Sequence, residues 1–484
     1  MKAIYKIGFA GIFLVVILTG IFWLKPDSPL EKGMIIATSV PHDVNILKGD
    51  FGTDNRYLPG TSIIALKMND DKKDEPVLLT GDFYSARSPE VSYAGDLLVF
   101  SAQKSEGDLW QIYILDLQSF KVRQVTHCPV NCTDPTWLPD GRIAFSRLND
   151  EEPTGPIHVL YACEPDGSNM TRLMYHPNSA IASSVFQDGR ILTLSEQKYP
   201  EVGKRHMLAL RIDGTKSELF YGSNQNAGPV SRAWEAPDGQ VYFIEKRMGE
   251  TDRGNLVSVV KGHPMSSYIE LSNDIKGDFH SVYPDVSGNM LVSYKETDDQ
   301  PFGLHTFDIN YKKIKRKIYT PNDFHIIEPV VLEERKLPMQ LPANVDESKE
   351  NGTLLCLNVD LSMYPVADSS RGIRSTDKVQ VFGLNEILGE VPVEKDGSFY
   401  IEIDADTPVR FQTVDANGEI LRGPSAWIWV RPNEKRSCIG CHENPELAPD
   451  NRVPDALYAG MVRLPEGEKT EAIMLTGKHR QNEE

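Results

Sequence analysis

A turn followed by a strand recurs along the middle of this 484-residue chain, and that recurrence constrains the fold more than any other feature. The turns are Ala94-Gly95-Asp96, Pro139-Asp140-Gly141, Gln187-Asp188-Gly189, Pro237-Asp238-Gly239 and Val286-Ser287-Gly288, with glycines 46, 48, 50 and 49 residues apart. Each leads into a strand-like run: Leu97 to Phe100, Arg142 to Phe145, Arg190 to Leu194, Gln240 to Ile244 and Asn289 to Val292. Further strand pairs lie between them, such as Trp110 to Leu117 with Val122 to Thr126, and His206 to Ile212 with Ser217 to Tyr221. Four short strands in about 45 to 50 residues is the period of a β-propeller blade. Asp-Gly turns accept positive φ at little cost, and alternating apolar residues let each blade bury both faces against its neighbours.

A partial blade precedes the first clear turn, with strands near Ser62 to Leu66 and Val77 to Thr80, and a strand at Glu328 to Leu332 follows one period after the last. The expected fold is therefore mainly all-β: a propeller over residues 35–337 with six blades, seven being the alternative count. The final strand is expected to complete the blade begun near residues 35 to 50 and so close the ring. The turn that follows an aromatic residue, Trp137 or Trp234, resembles the blades of TolB-like proteins. Pro338, Pro342 and the charged stretch 346–351 read as a linker over 338–351, and residues 352–484 as a second, β-sandwich-like unit. Its hairpins are expected to join Val391–Val393 to Phe399–Ile403 around Lys395-Asp396-Gly397, and Val409–Val414 to Glu419–Leu421 around Asn417-Gly418. A last strand would carry Trp427 and Trp429, placed either to pack on a cofactor or in the core.

The net charge of −18 argues against nucleic acid as a partner. The one dense basic run, Lys312 to Lys317, is interleaved with Ile314 and reads as a solvated strand edge guarded against aggregation. Within the propeller no nucleophile elbow, phosphate loop, paired-carboxylate motif or metal-spaced histidine cluster is found.

Chemistry enters with Cys438, Ile439, Gly440, Cys441 and His442, a CxxCH run that reads as an attachment site for a c-type haem. Each thiol can add to a haem vinyl group, which leaves the adjacent imidazole placed to bind the iron as proximal ligand. Arg431, Lys435 and Arg436 nearby are candidates to pair with haem propionates. At the other end, Lys2 and Lys6 precede an apolar run from Ile7 to Leu24, closed by Lys25 and Pro26. This reads as an uncleaved transmembrane anchor over residues 1–30 with the body outside the cytoplasm, in the periplasm; a cleaved signal and a soluble exported body is the alternative.

The runs Leu388 to Val393, Asp396 to Phe399, Asp406 to Gln412 and Trp427 through Cys438 to Glu443 resemble the middle domain of the hydrazine synthase alpha-subunit family. The resemblance implies a propeller followed by a haem domain, and it is strongest over residues 352–455. Members of that family continue into a further domain with a second CxxCH haem, whereas no cysteine follows Cys441 here, so one covalent haem is expected. In the family the middle-domain iron is held by a tyrosine four residues after the motif histidine, which then binds zinc. Glu446 stands at the matching position, which returns His442 to the iron, leaves zinc implied by resemblance alone, and does not carry hydrazine formation over.

Candidates for the opposite axial ligand are Met461, Met474 and His479, with Tyr458 a weaker one. Cys128 and Cys132 flank a three-residue loop and are open to a small disulfide, with metal binding alongside His127 the lesser alternative; Cys163 and Cys356 read as buried thiols. Three functions remain: a monohaem cytochrome passing electrons to a redox partner docked on the propeller, a haem-dependent redox enzyme acting on a small nitrogen or oxygen species, and a non-enzymatic binding or scaffold propeller.

Overall fold

The computed structural model describes residues 30–46, 56–68, 75–152, 155–198, 203–222, 227–247, 253–285, 288, 290–361, 375–440, 451–465 and 470–471. Six antiparallel sheets of blade type account for the repeat. In the first blade Ile35–Pro41 pairs with Ser62–Leu66 on one side and with Phe324–Val331 on the other, and Val77–Leu78 lies outermost. The expected closure is therefore present: the last strand of the propeller is the innermost strand of the first blade.

Blades two to six begin on their inner strands at Ser85–Val91, Cys132–Trp137, Ser179–Val185, the two-part edge Ala227–Pro229 and Trp234–Glu235, and Asp278–Pro284. Each inner strand touches the next, and Phe324–Val331 meets Ser85–Val91 to complete the circuit. The repeated turn is why the strands follow one another so regularly. Gly95, Gly141, Gly189, Gly239 and Gly288 all adopt the left-handed region, with φ of 76, 91, 88, 79 and 84°, which glycine reaches without a Cβ penalty. The basic run lies on Lys313–Tyr319, the outer strand of blade six, with Lys313, Lys315 and Lys317 exposed.

Inner strands carry a feature that the sequence reading did not find. Ser88, Asp134, Ala182 and Glu328 sit at bulges with φ of 54, 52, 50 and 54°, an unusual conformation for residues with a side chain. In three blades the next residue is proline: Ser88-Pro89, Asp134-Pro135 and Glu328-Pro329.

Residues after the propeller run over its turns before forming the second unit. The Met339 amide donates to Gln187 O (3.0 Å), Gln340 Nε2 to Pro139 O (2.8 Å) and the Asn344 amide to Asp213 Oδ2 (2.9 Å). Two sheets then enclose one core. One has the order Lys435–Cys438, Asn351–Cys356, Phe399–Asp404, Val462–Arg463; the other runs Ile420–Arg422, Arg410–Val414, Lys378–Phe382, Glu386–Pro392, Thr470–Glu471. Leu354, Val379, Val381, Phe399, Ile401 and Phe411 pack between them.

Two sequence expectations are corrected in this unit. Arg410–Val414 does pair with Ile420–Arg422, but Glu386–Pro392 and Phe399–Asp404 belong to different sheets. The Lys395-Asp396-Gly397 turn therefore carries the chain from sheet to sheet and closes no hairpin, because each strand finds its apolar partners elsewhere. The strand through Trp427 and Trp429 reduces to one bridge, Val409 with Ile428. Trp429 leaves its own domain and is buried in the propeller against Leu138, Leu160, Leu173 and Met174, with its ring edge-on to His176 at 5.4 Å.

The anchor expected over residues 1–30 lies, but for residue 30, outside the described residues. Among the described residues no helix is long and apolar enough to cross a membrane. The α-helix Ala456–Ala459 has four residues, about 6 Å of rise against a hydrocarbon core of about 30 Å. The expectation of a membrane-anchored body is corrected accordingly and is not carried further.

Candidate functional site

Charged groups converge on the propeller axis, where the bulged inner strands of blades one, two and three meet. Glu328 Oε1 pairs with Arg87 Nη2 at 2.5 Å, while its Oε2 accepts from Thr38 Oγ1 (2.8 Å) and the Ser88 amide (2.9 Å). Arg56 Nη1 pairs with Asp134 Oδ1 at 2.9 Å, and Ser88 Oγ donates to that same oxygen at 3.1 Å. Glu90 receives Arg232 at 3.1 Å and Arg335 at 3.2 Å. Burial alone would raise the Glu328 carboxyl, but the Arg87 charge and the hydrogen bonds from Arg87 and Thr38 overcome it and hold it at about 2. Beside them Tyr57 O–H meets His158 Nε2 at 2.8 Å, and burial holds His158 down at about 4.

The corner carrying Cys438 is built differently. Lys435–Cys438 runs parallel to Asn351–Cys356, with Cys438 opposite Cys356. The Leu357 amide donates to Cys438 O (2.9 Å) and the Asn358 amide to Ile439 O (3.0 Å), so the pairing continues past the strand end. Gly440 then passes directly under the Leu361 carbonyl, where a Cβ would overlap the oxygen. Cys356 is sealed in the core, whereas Cys438 is half-buried at its margin.

After residues 441–450 the chain returns to the same corner. Arg452 Nη2 donates to Asp396 O (2.7 Å), the Asp455 amide to Asp396 Oδ2 (2.9 Å) and the Ala456 amide to Ser398 Oγ (3.0 Å), while the Val359 amide donates to Gly397 O (2.8 Å). Both ends of the segment holding Cys441 and His442 are thus pinned to one place.

Arg431 joins the two units. Its Nη1 meets both oxygens of Asp406 at 2.7 Å and Tyr175 Oη at 2.6 Å, its Nη2 meets Glu347 Oε1 at 2.8 Å, and its Nε donates to Asp213 O at 3.3 Å. Glu434 accepts from the Arg431 amide and from the Lys216 amide of the propeller, each at 2.9 Å. Arg436 donates to Ser217 O. Arg431 and Arg436, read from the sequence as propionate partners, therefore hold the interface, and Trp429 fills the propeller core.

Of the residues proposed from the sequence to hold a haem, Cys438 is placed as described, and Cys441, His442, Met474 and His479 lie outside the described residues, as does Glu446, which stands at the position of the family's tyrosine. What is described fits attachment: a half-buried thiol at a strand end, followed two residues on by a glycine whose missing side chain lets the backbone pass under the Leu361 carbonyl. Met461 and Tyr458 are exposed. Met461 precedes Val462–Arg463 at the opposite edge of the sheet from Cys438, three strand spacings or roughly 14 Å away. Among the described residues no three His, Cys, Asp or Glu side chains stand close enough to hold a metal ion. Sequence reasoning missed the axial cluster, for which the recurring Xaa-Pro after a polar residue was the available signal.

Residues 356–443 match the hydrazine synthase alpha subunit middle domain. Hydrazine synthase subunit alpha of Kuenenia stuttgartiensis is 22% identical over 514 aligned residues, covering 80% of this chain and 63% of that protein. The chain thus spans less than two thirds of that relative's length. The structure of Kuenenia stuttgartiensis hydrazine synthase superposes with a TM-score of 0.76 at 19% identity, over 89% of this chain and 72% of that one. TolB from Acinetobacter baumannii overlaps 61% of this chain and 66% of its own at 12% identity and a TM-score of 0.42; the propeller assignment rests on the strand pairings.

Proposed function

We propose that this chain, hydrazine synthase alpha-subunit-like in its middle domain, holds one covalent haem and passes electrons to a partner protein docked on the propeller. The observation that carries the reading is the CxxCH at 438–442, inside the matched stretch 356–443. Cys438 and Cys441 would hold the haem as thioethers, each S–H adding across a vinyl group, and His442 would be the proximal iron ligand. When bound, the haem supplies a one-electron centre. The parallel pairing of Lys435–Cys438 with Asn351–Cys356 and the Arg431 and Glu434 contacts with the propeller would keep that centre at a fixed position relative to the docking surface. A net charge of −18 favours a basic partner.

A second reading is a haem-dependent redox enzyme acting on a small nitrogen or oxygen species. The place of Met461, across the sheet from Cys438, favours it, because an iron without a methionine opposite His442 can take an exogenous ligand. The reduced spectrum of the purified chain with and without carbon monoxide separates the two. Unchanged bands support the electron carrier, a shifted Soret band supports the enzyme, and absence of any haem band overturns both.

A further inference from the structure

We infer that Cys128, Cys132 and Met170 form a three-sulfur site for a soft monovalent metal ion, Cu(I), on the rim between blades two and three. The site is remote in sequence from the CxxCH and does not rest on the haem reading. Cys128 Sγ and Met170 Sδ stand 3.9 Å apart, and Cys132, whose Sγ lies 3.9 Å from Val130 O, packs in the same cluster of side chains as both. Metal–sulfur bonds of about 2.3 Å at trigonal or tetrahedral angles separate the ligand sulfurs by about 3.8–4.0 Å. The observed separation therefore needs little adjustment to receive a central ion.

The loop between the cysteines is held in place from outside the sulfur set. Gln111 Nε2 donates to Cys128 O (3.0 Å) and Val130 O (3.1 Å), and Gln111 Oε1 accepts from the Cys128 amide (3.0 Å). Thr126 Oγ1 fixes that same Gln111 oxygen at 2.8 Å, and Asn131 Oδ1 accepts from the Trp110 amide at 2.9 Å. Such supporting bonds orient ligands and raise metal affinity. An entry path exists as well: an open surface cavity of about 760 Å³ is lined by Leu109, Gln111, Tyr113, His127 and Cys128.

Ligand chemistry selects the ion. Two thiolates and a thioether are soft donors suited to Cu(I), whereas a structural zinc site takes four Cys, His or carboxylate ligands. No third group of that kind accompanies the two cysteines among the described residues. Binding releases the two thiol protons to solvent and leaves the oxidation state of copper unchanged.

The test is an anaerobic titration of the reduced full-length chain with Cu(I) in competition with bicinchoninate. The parent should take up one equivalent more than the Cys128→Ser/Cys132→Ser variant, so that any copper on other thiols cancels in the difference. Met170→Leu, which keeps both thiols, should bind that equivalent at least about tenfold more weakly. Equal uptake by parent and double variant, or unchanged affinity in Met170→Leu, would overturn the site. X-ray absorption at the copper edge should show three sulfurs near 2.3 Å, and a two-sulfur shell would likewise overturn it.

Discussion

At the propeller axis, Arg87, Glu328, Arg56 and Asp134 are locked by one another and by backbone bulges from three blades. At the Cys438 corner, parallel backbone pairing and the contacts of Asp396 do the holding, and the sulfur stays half-buried at the margin of its core. The axis concentrates charge in a low-dielectric interior, where each ion depends on its partner. The corner sets its thiol at the margin of an apolar core, within electrostatic reach of Lys216. Stability should therefore respond to the axis and cofactor loading to the corner, with Arg431 as the coupling between them.

The largest effect should come from Glu328→Ala, which leaves Arg87 buried without its carboxylate. We expect a loss of about 3–5 kcal/mol in denaturant unfolding, with covalent haem retained in the fraction that folds. A loss of haem in that folded fraction would break the division.

Acid should act on the same side. Burial holds His158 at about 4 and His176 at about 3, both below the ordinary 6.5. Their unfolded forms take up protons first, so stability present above pH 6.5 is lost as pH falls from 6.5 towards 4 for His158 and towards 3 for His176, on the order of 3 and 5 kcal/mol. Glu328, at about 2 against an ordinary 4.5, adds a loss between pH 4.5 and 2. Unfolding followed from pH 7 to 3 should show this slope, and His176→Phe should make it shallower by the His176 share, with His158 and Glu328 still contributing.

Arg431→Met keeps the length of the side chain and removes its ion pairs with Asp406 and Glu347. About 2–3 kcal/mol should be lost, seen as a second, earlier transition when the two units uncouple. A single unshifted transition would remove Arg431 from its coupling role.

Gly440→Ala should lower haem staining at constant propeller stability, because a Cβ there meets the Leu361 carbonyl. Gly141→Ala, at a repeat turn with open space around it, should cost only about 1–2 kcal/mol for the left-handed backbone. Its haem content should match the parent.

Much of the ring was legible because its information is local. A Gly at each turn reports a positive φ, and alternation reports a strand, so blade count and closure could be read residue by residue. The pairing of Asn351–Cys356 with Lys435–Cys438 was not legible, since parallel register between distant segments leaves no nearby signature. The same holds for Arg431, whose partners Tyr175, Asp213 and Glu347 lie far apart in sequence. The Asp396 turn misled because a hairpin signal and a sheet-to-sheet crossing use the same residues. At the candidate site the CxxCH was legible as a motif, while the corner that presents Cys438 emerged only from the fold.

The most direct measurement is haem per polypeptide by pyridine haemochrome, with in-gel haem staining after denaturation, on the chain produced with a c-type haem attachment system. One covalent haem per chain, lost in Cys438→Ala/Cys441→Ala while the propeller unfolds as in the parent, is the expected result. No covalent haem in the parent, or covalent haem retained in the double variant, would contradict the assignment.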